Sequence, residues 1–267
     1  MRACLTIAGS DCSGGAGVQA DLKTFSAHGV YGMSVITAVT AQNTLGVKHV
    51  HSIPADVVSK QLEVILDDIP PAAIKLGMLD NANTVLIVAE LLKQHTSLPI
   101  VIDPVFVSSS GRVLLSSRGI GELIKCLFPL ASLITPNLNE VQVLCQALNL
   151  ICPSIKTEAE LRQAGAALQR QLKLEFGRSP VLLCKGGHLQ GDAADLLLID
   201  QQGHWLRSER IVNPNIHGTG CTLSAAIAAN LASGSSLLSA VENAKKYLHG
   251  AIKRGLDLGQ GVGPLAH

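Results

Sequence analysis

Aromatic residues are scarce in this sequence: one Trp, two Tyr and four Phe among 267 positions. So few rings exclude the stacking platforms with which proteins hold unpaired bases. Charge is also sparse at 15%, and it is balanced, with 21 basic against 20 acidic residues. No run of like charge offers a nucleic-acid surface or an acidic tail. No apolar stretch approaches the roughly 18 residues of a membrane span, and the run from Ala3 to Ala8 is too short for a signal peptide. Seven cysteines include no CxxC pair and no Cys/His cluster with ligand spacing, which argues against a zinc site. Their odd number and apolar neighbours predict free thiols in a reducing compartment. These absences predict a soluble, cytoplasmic protein without nucleic-acid or membrane partners. Its length and 47% hydrophobic content supply a large core.

Short apolar, β-branched segments alternate with longer amphipathic ones. Strands are predicted at 3–9, 33–39, 73–77, 99–105, 132–137 and 180–187, and a hairpin at 194–212 around Gln201, Gln202 and Gly203. Helices are predicted at 18–29, 57–69, 82–95, 119–131, 158–175, 220–232 and 236–255. This alternation specifies an α/β fold of three layers (α/β/α), with a mostly parallel central sheet and a small β flap near 30–52. No repeat or linker divides the chain, so residues 1–267 are read as one domain. Ligands of such sheets bind at the carboxyl ends of the strands. Asp11, Asp103, Asn137 and the Lys185-Gly186-Gly187 turn all fall there.

One stretch carries chemistry of its own: "HGTGCTLSAAIAA", residues 217–229. The glycines allow a tight turn and close approach to a ligand. The first helical turn then presents unpaired amides and the positive end of the helix dipole, a site suited to a phosphate in transfer. A thiol in that field, Cys221, is expected to have a lowered pKa and to serve as a weak base. That suffices for phosphoryl transfer, whose loose transition state asks more for positioning than for deprotonation. Two plainer readings stand beside this one: a common Gly-x-Gly turn and an inert core cysteine. His217 is a second candidate base, although a residue ahead of the turn more often packs or caps. A Cys12–Cys221 disulfide is not expected in a reducing compartment.

The chain resembles the ribokinase-like superfamily and, within it, the hydroxymethylpyrimidine/phosphomethylpyrimidine kinases of thiamine biosynthesis. The likeness rests on "LTIAGSDCSGGAGVQADLKTFSAHGVYGMSVITAVTAQNTLGV" (5–47), "KLGML" (75–79), "DPV" (103–105) and "TPNLNE" (135–140). It continues through "KGGH" (185–188), the 217–229 stretch and "GVGP" (261–264). It implies ATP-dependent phosphorylation of 4-amino-5-hydroxymethyl-2-methylpyrimidine and then of its monophosphate. It also implies ATP and Mg²⁺ as cofactors and a homodimer.

By motif position the resemblance assigns Cys221, with Gly218 and Gly220, to catalysis. It assigns Gln42, Asp21, Met78 and Val105 to the pyrimidine, and Lys185, Thr219, Lys245 and Asn137 to ATP. Asp103 and Glu140 go to the metal. A carboxamide at 42 offers both a donor and an acceptor to a ring nitrogen and an amino group. Asp21 reads equally as a helix-surface charge, Met78 and Val105 as core, Glu140 as a helix N-terminal charge and Thr219 as a helix cap. Lys246 competes with Lys245. Cys12 and Phe106 depart from the family, which commonly has Ser or Pro at the first position and Met at the second. A loop near 106–111 is expected to close over the site and exclude water. A pyridoxine/pyridoxal kinase is the nearest alternative, and a non-catalytic pyrimidine-binding protein is another.

Overall fold

The computed structural model describes residues 1–108, 110–152, 154–187 and 189–267. Among the described residues nine strands form one sheet in the order β3-β2-β1-β4-β5-β6-β7-β8-β9. They are β1 (Ala3–Asp11), β2 (Tyr31–Asn43), β3 (Gly46–Ser52), β4 (Ala73–Leu76), β5 (Ile100–Ile102), β6 (Leu133–Ile134), β7 (Val181–Cys184), β8 (Ala193–Ile199) and β9 (Gln202–Ser208). Strands β2, β1, β4, β5, β6 and β7 run parallel, and β3, β8 and β9 are antiparallel additions at the two edges. Among the described residues eight α-helices cover the sheet: α1 (Gly17–Ala27), α2 (Ala55–Asp68), α3 (Ala82–Leu92), α4 (Ser117–Glu122), α5 (Leu138–Ala147), α6 (Glu158–Phe176), α7 (Thr219–Ala232) and α8 (Leu237–Arg254).

Alternation along the strands decides which face each residue covers. Ile7, Ile74, Ile102 and Leu182 join residues of α2 to α6, such as Leu62, Val88, Leu144 and Leu168, in the larger core. Cys4, Ala73, Val101 and Leu183 face the other way, onto α1, α7 and α8. On that side α7 contributes Ala225, Ala226, Ala228 and Ala229, all fully buried, and their small size lets it sit close to the sheet. Its first turn thereby reaches the carboxyl edge of the parallel strands.

Several expected elements differ in detail. The predicted helix at 119–131 is α4 followed by a π-helical turn (Leu123–Leu127) and a 3₁₀ turn (Phe128–Leu130). Pro129 in that last turn cannot donate to a continuing α-helix. Strand β5 ends at Ile102, before Pro104, and Asp103 follows it with its N–H still bonded to Leu76 O of β4 at 2.9 Å. The hairpin turns at Asp200 and Gln201, both at positive φ, one to two residues earlier than expected. Helix α5 was anticipated only through the reading of Glu140 as a helix N-terminal charge, which its capping box bears out. The flap is β3 with the outer end of β2; the inner part of β2 belongs to the main sheet, paired with β1.

Candidate active site

The chain leaves β5, β6 and β7 with a polar residue, Asp103, Thr135 and Lys185, and these converge beside the first turn of α7. Gly218 caps that helix at φ +85°, and a side chain there would overlap the Gly15 carbonyl, so only glycine fits. Thr219 N–H donates to Ile216 O and Thr222 N–H to Gly218 O. The Gly220 and Cys221 amides have no partner among the described residues. A Cβ at Gly220 would stand 3.3 Å from Lys185 Nζ and 3.4 Å from Asp103 Oδ2, so this backbone lies directly over that ion pair. Unpaired donors, a helix N-terminus and an adjacent ammonium make an anion-binding turn.

Asp103 Oδ1 accepts from Lys185 Nζ at 2.7 Å and from Thr135 Oγ1 at 3.1 Å. Burial pushes this carboxyl upward, but Lys185 and then Lys75 outweigh it and hold it below the usual range. Glu140 lies 3.8 Å from the same ammonium, and its Oε2 accepts the Asn137 N–H in a capping box that starts α5. Burial pushes Glu140 up to about 7; Lys185 opposes the shift and the Asp103 charge adds to it. Lys185 stays charged despite burial because Asp103 and Glu140 surround it. Two carboxyl groups share one ammonium, so whenever Glu140 is ionised one negative charge lacks a counter-ion. That shortfall and the oxygen donors fit a hard cation held partly through water. No group of three or more His, Cys, Asp or Glu residues able to hold a metal ion occurs among the described residues.

Beside this cluster opens a cavity of about 310 Å³. Asn137, Lys185, Thr219 and Lys245, the four residues assigned to ATP, all line it. Its apolar walls are Leu223 of α7 with Leu248 and Ile252 of α8, which sequence reasoning missed. The i, i+4 spacing of the last two on one helix face was the available signal. Lys245 is not free, because its Nζ donates to Asp195 Oδ2 at 2.6 Å and to Ala193 O at 3.0 Å.

On the other side of the turn, Met78 and Val105 pack together with Ala38 and Leu114. Gln42 stands at a β-bulge in β2, and its amide lies 3.0 Å from His217 Nε2. His217 is also 3.0 Å from Asp11 Oδ2. Asp21 requires correction. It is fully buried and does not face a pocket. It accepts from Lys75 Nζ at 2.8 and 3.0 Å and from Thr6 Oγ1 at 2.6 Å, between α1 and the sheet. Lys75, equally sealed, was overlooked inside "KLGML".

The expectation for Cys221 is also corrected. Burial pushes its thiol up to about 11, although Lys75 and the Gly17 N–H pull the other way. Desolvation outweighs the helix dipole, so the resting side chain is a neutral thiol. Cys12, the other half of the disulfide considered and not expected, is exposed and bonded to the Gln42 backbone. The loop at 106–111 includes Ser109, which lies outside the described residues, as does His188 of "KGGH". The described neighbours rest on the flap, where Arg112 donates to Lys48 O at 3.1 Å.

The chain is similar to known proteins along nearly its whole length. A family model described as phosphomethylpyrimidine kinase matches residues 11–266. A hydroxymethylpyrimidine/phosphomethylpyrimidine kinase from Streptomyces coelicolor is 48% identical over 263 residues, covering 98% of this chain and 93% of that one. A thiamine biosynthesis bifunctional protein from Geobacter sulfurreducens is 44% identical and covers 98% of this chain, which spans 51% of it. Among solved structures, an ADP complex of Bacillus subtilis pyridoxal kinase superposes with a TM-score of 0.87 at 36% identity, covering 100% of this chain and 97% of that one.

Proposed function

The chain belongs to the phosphomethylpyrimidine kinase family, and on that premise we propose that it transfers the γ-phosphoryl group of ATP to 4-amino-5-hydroxymethyl-2-methylpyrimidine and then to the resulting monophosphate. All 267 residues act as one catalytic unit in this reading. The carrying observation is the pair of unpaired amides at Gly220 and Cys221, set between the cavity and the Gln42 side.

The adenosine moiety occupies the apolar cavity against Leu223, Leu248 and Ile252, with Asn137 and Thr219 toward the phosphates. Lys185 neutralises the phosphate chain as a point charge. Lys245, held by Asp195, shapes the wall without binding phosphate. Mg²⁺, when bound with ATP, neutralises phosphate charge, and Asp103 and Glu140 would hold its water shell. On the acceptor side, Gln42 orients the pyrimidine against Met78 and Val105. Asp21 acts from behind by fixing Lys75, whose charge lies near Cys221. The Gly218–Cys221 backbone stabilises charge on the phosphoryl group in flight.

Cys221 accepts the hydroxymethyl proton in its minor, ionised form. The first acceptor is an alcohol and must lose a proton. The second is a phosphate oxygen, already ionised at neutral pH because its second pKa is about 6. A base therefore matters for the first step alone. A cytoplasmic location and a homodimer belong to the same reading, and sedimentation of the purified chain tests the latter. Among the described residues no helix is long and apolar enough to cross a membrane.

Incubation with the pyrimidine and Mg-ATP, followed by mass analysis, should yield mono- and diphosphate. The likeness to a pyridoxal kinase supports a second reading, phosphorylation of pyridoxine or pyridoxal. Comparing kcat/KM for the two ring types decides between them. Tight pyrimidine binding without any phosphorylated product would leave only a binding protein.

A further inference from the structure

Asp11, His217 and Gln42 form a relay whose polarity can be read from donor and acceptor counts. Asp11 Oδ1 accepts from Ser13 N–H at 2.9 Å and Ser13 Oγ at 2.7 Å. Its Oδ2 accepts from Gly15 N–H at 3.2 Å and Ala16 N–H at 2.9 Å, and also faces His217 Nε2 at 3.0 Å. A carboxyl surrounded by four other donors is an acceptor only. Burial would raise its pKa, but the His217 and Ser13 hydrogen bonds outweigh that and hold it ionised. His217 Nε2 must then carry a proton and donate it.

That proton settles the amide of Gln42, which lies 3.0 Å from the same nitrogen. A protonated Nε2 has no lone pair to offer the amide nitrogen. The amide therefore presents Oε1 to His217, the half-turn that leaves its shape unchanged, and shares the single Nε2–H with Asp11 Oδ2 in a three-centre bond. Its NH₂ then takes the position 3.4 Å from Thr40 Oγ1. Thr40 donates its own proton to Ser10 O at 3.0 Å and keeps lone pairs free to receive one amide N–H. The second N–H of Gln42 is left over.

His217 is itself held firmly. Its backbone N–H donates to Gly263 O at 3.0 Å, and its ring rests on the bare Cα of Gly15, where any side chain would collide with it. It is therefore a fixed reference against which a mobile carboxamide is oriented.

We propose that the Asp11–His217 pair locks Gln42 as a hydrogen-bond donor, so that the acceptor substrate must present an unprotonated ring nitrogen there. In this arrangement the carboxamide does not read a donor and acceptor pair, as the sequence had suggested. Its oxygen is spent inside the protein. Heteroaromatic alcohols with a bare ring nitrogen at that position are accepted, and ring N–H tautomers such as oxo-pyrimidines are rejected. His217 is a positioning residue here and not a base. The inference rests on Gln42 touching the substrate, as under the proposed function.

The test combines a spectroscopic and a kinetic measurement. Long-range ¹H–¹⁵N correlation on the full native chain should show His217 protonated at Nε2; protonation at Nδ1 alone overturns the proposal without any variant. Kinetically, replacing the contacted ring nitrogen of the substrate by C–H should raise KM about tenfold or more in the native chain, the usual cost of orphaning a site donor. In His217→Leu that penalty should shrink to within about twofold, and His217→Gln, which keeps an N–H at similar reach, should restore it. A penalty unchanged in His217→Leu sinks the proposal while leaving Gln42 as a substrate contact. A Gln42→Leu chain with native KM for both compounds removes Gln42 from the site altogether, a separate failure. KM for ATP should stay constant throughout.

Discussion

Lys75 with Asp21 and Lys185 with Asp103 are two lysine–aspartate pairs, the first between β4 and α1 and the second just beyond the carboxyl ends of β7 and β5. In the first, both side chains are 0% exposed, and Thr6 completes the bonding of the carboxylate. In the second, the side chains are 13% and 3% exposed, the ammonium borders a cavity, and Glu140, when ionised, leaves the charge count one short. The first pair is closed: its charges cancel, and neither can leave without exposing the other to apolar surroundings. The second is unfinished and completes itself by taking charge from outside. Residue type does not distinguish them; depth and the third partner do.

The largest effect should come from breaking the closed pair. Lys75→Met leaves the Asp21 charge buried alone and is expected to cost about 3–5 kcal/mol, read as a drop in the urea midpoint. Lys75→Met with Asp21→Asn should recover most of it. Native stability in the single variant would erase the contrast. Lys185→Met should give a smaller loss of stability but a fall in kcat of about 10²-fold or more, the scale for losing one group that stabilises transferring charge. If it proves as destabilising as Lys75→Met with its turnover intact, the two pairs are alike after all.

Cys221 lies near both lysines. Cys221→Ala should slow the first phosphorylation about 10²-fold and the second far less. Because burial pushes the thiol to about 11, the ionised fraction grows tenfold per pH unit below that value. The first-step rate of the native chain should rise between pH 7 and 9, and this slope should vanish in the variant. Equal losses in both steps would leave Cys221 as a positioning group. The smallest effect concerns Glu140. An unfolded glutamate ionises near 4.5, and this one near 7 when folded. Between those values the folded chain keeps a proton that the unfolded chain has released, so its contribution to stability falls as pH rises. Glu140→Gln cannot titrate, so the native chain's stability relative to it should decline from pH 4.5 to 7 in urea titrations.

Much of this was legible from order and spacing. Apolar runs of four to seven residues marked the strands, and their polar followers Asp103, Asn137 and Lys185 do meet at one edge. What escaped was three-dimensional. Asp21 sits in a helix of mixed character, and only the sheet beneath α1 shows that it points inward at Lys75. Lys75 lies in an otherwise apolar strand, where period two alone could not say which face it used. The thiol at 221 was expected to follow its helix terminus, but the desolvation that outweighs it depends on packing by other segments. The apolar cavity wall joins residues of α7 and α8, far apart from the strand motifs that drew attention.

Gly218 has no room for a side chain because the Gly15 carbonyl already fills that space. The loop that precedes α1 and the turn that opens α7 are therefore keyed into each other, main chain against main chain, although some two hundred positions separate them in the sequence. Neither half can be remodelled by itself. A transplant of one from a relative will take only with its counterpart, and drift at either is bound to be answered at the other.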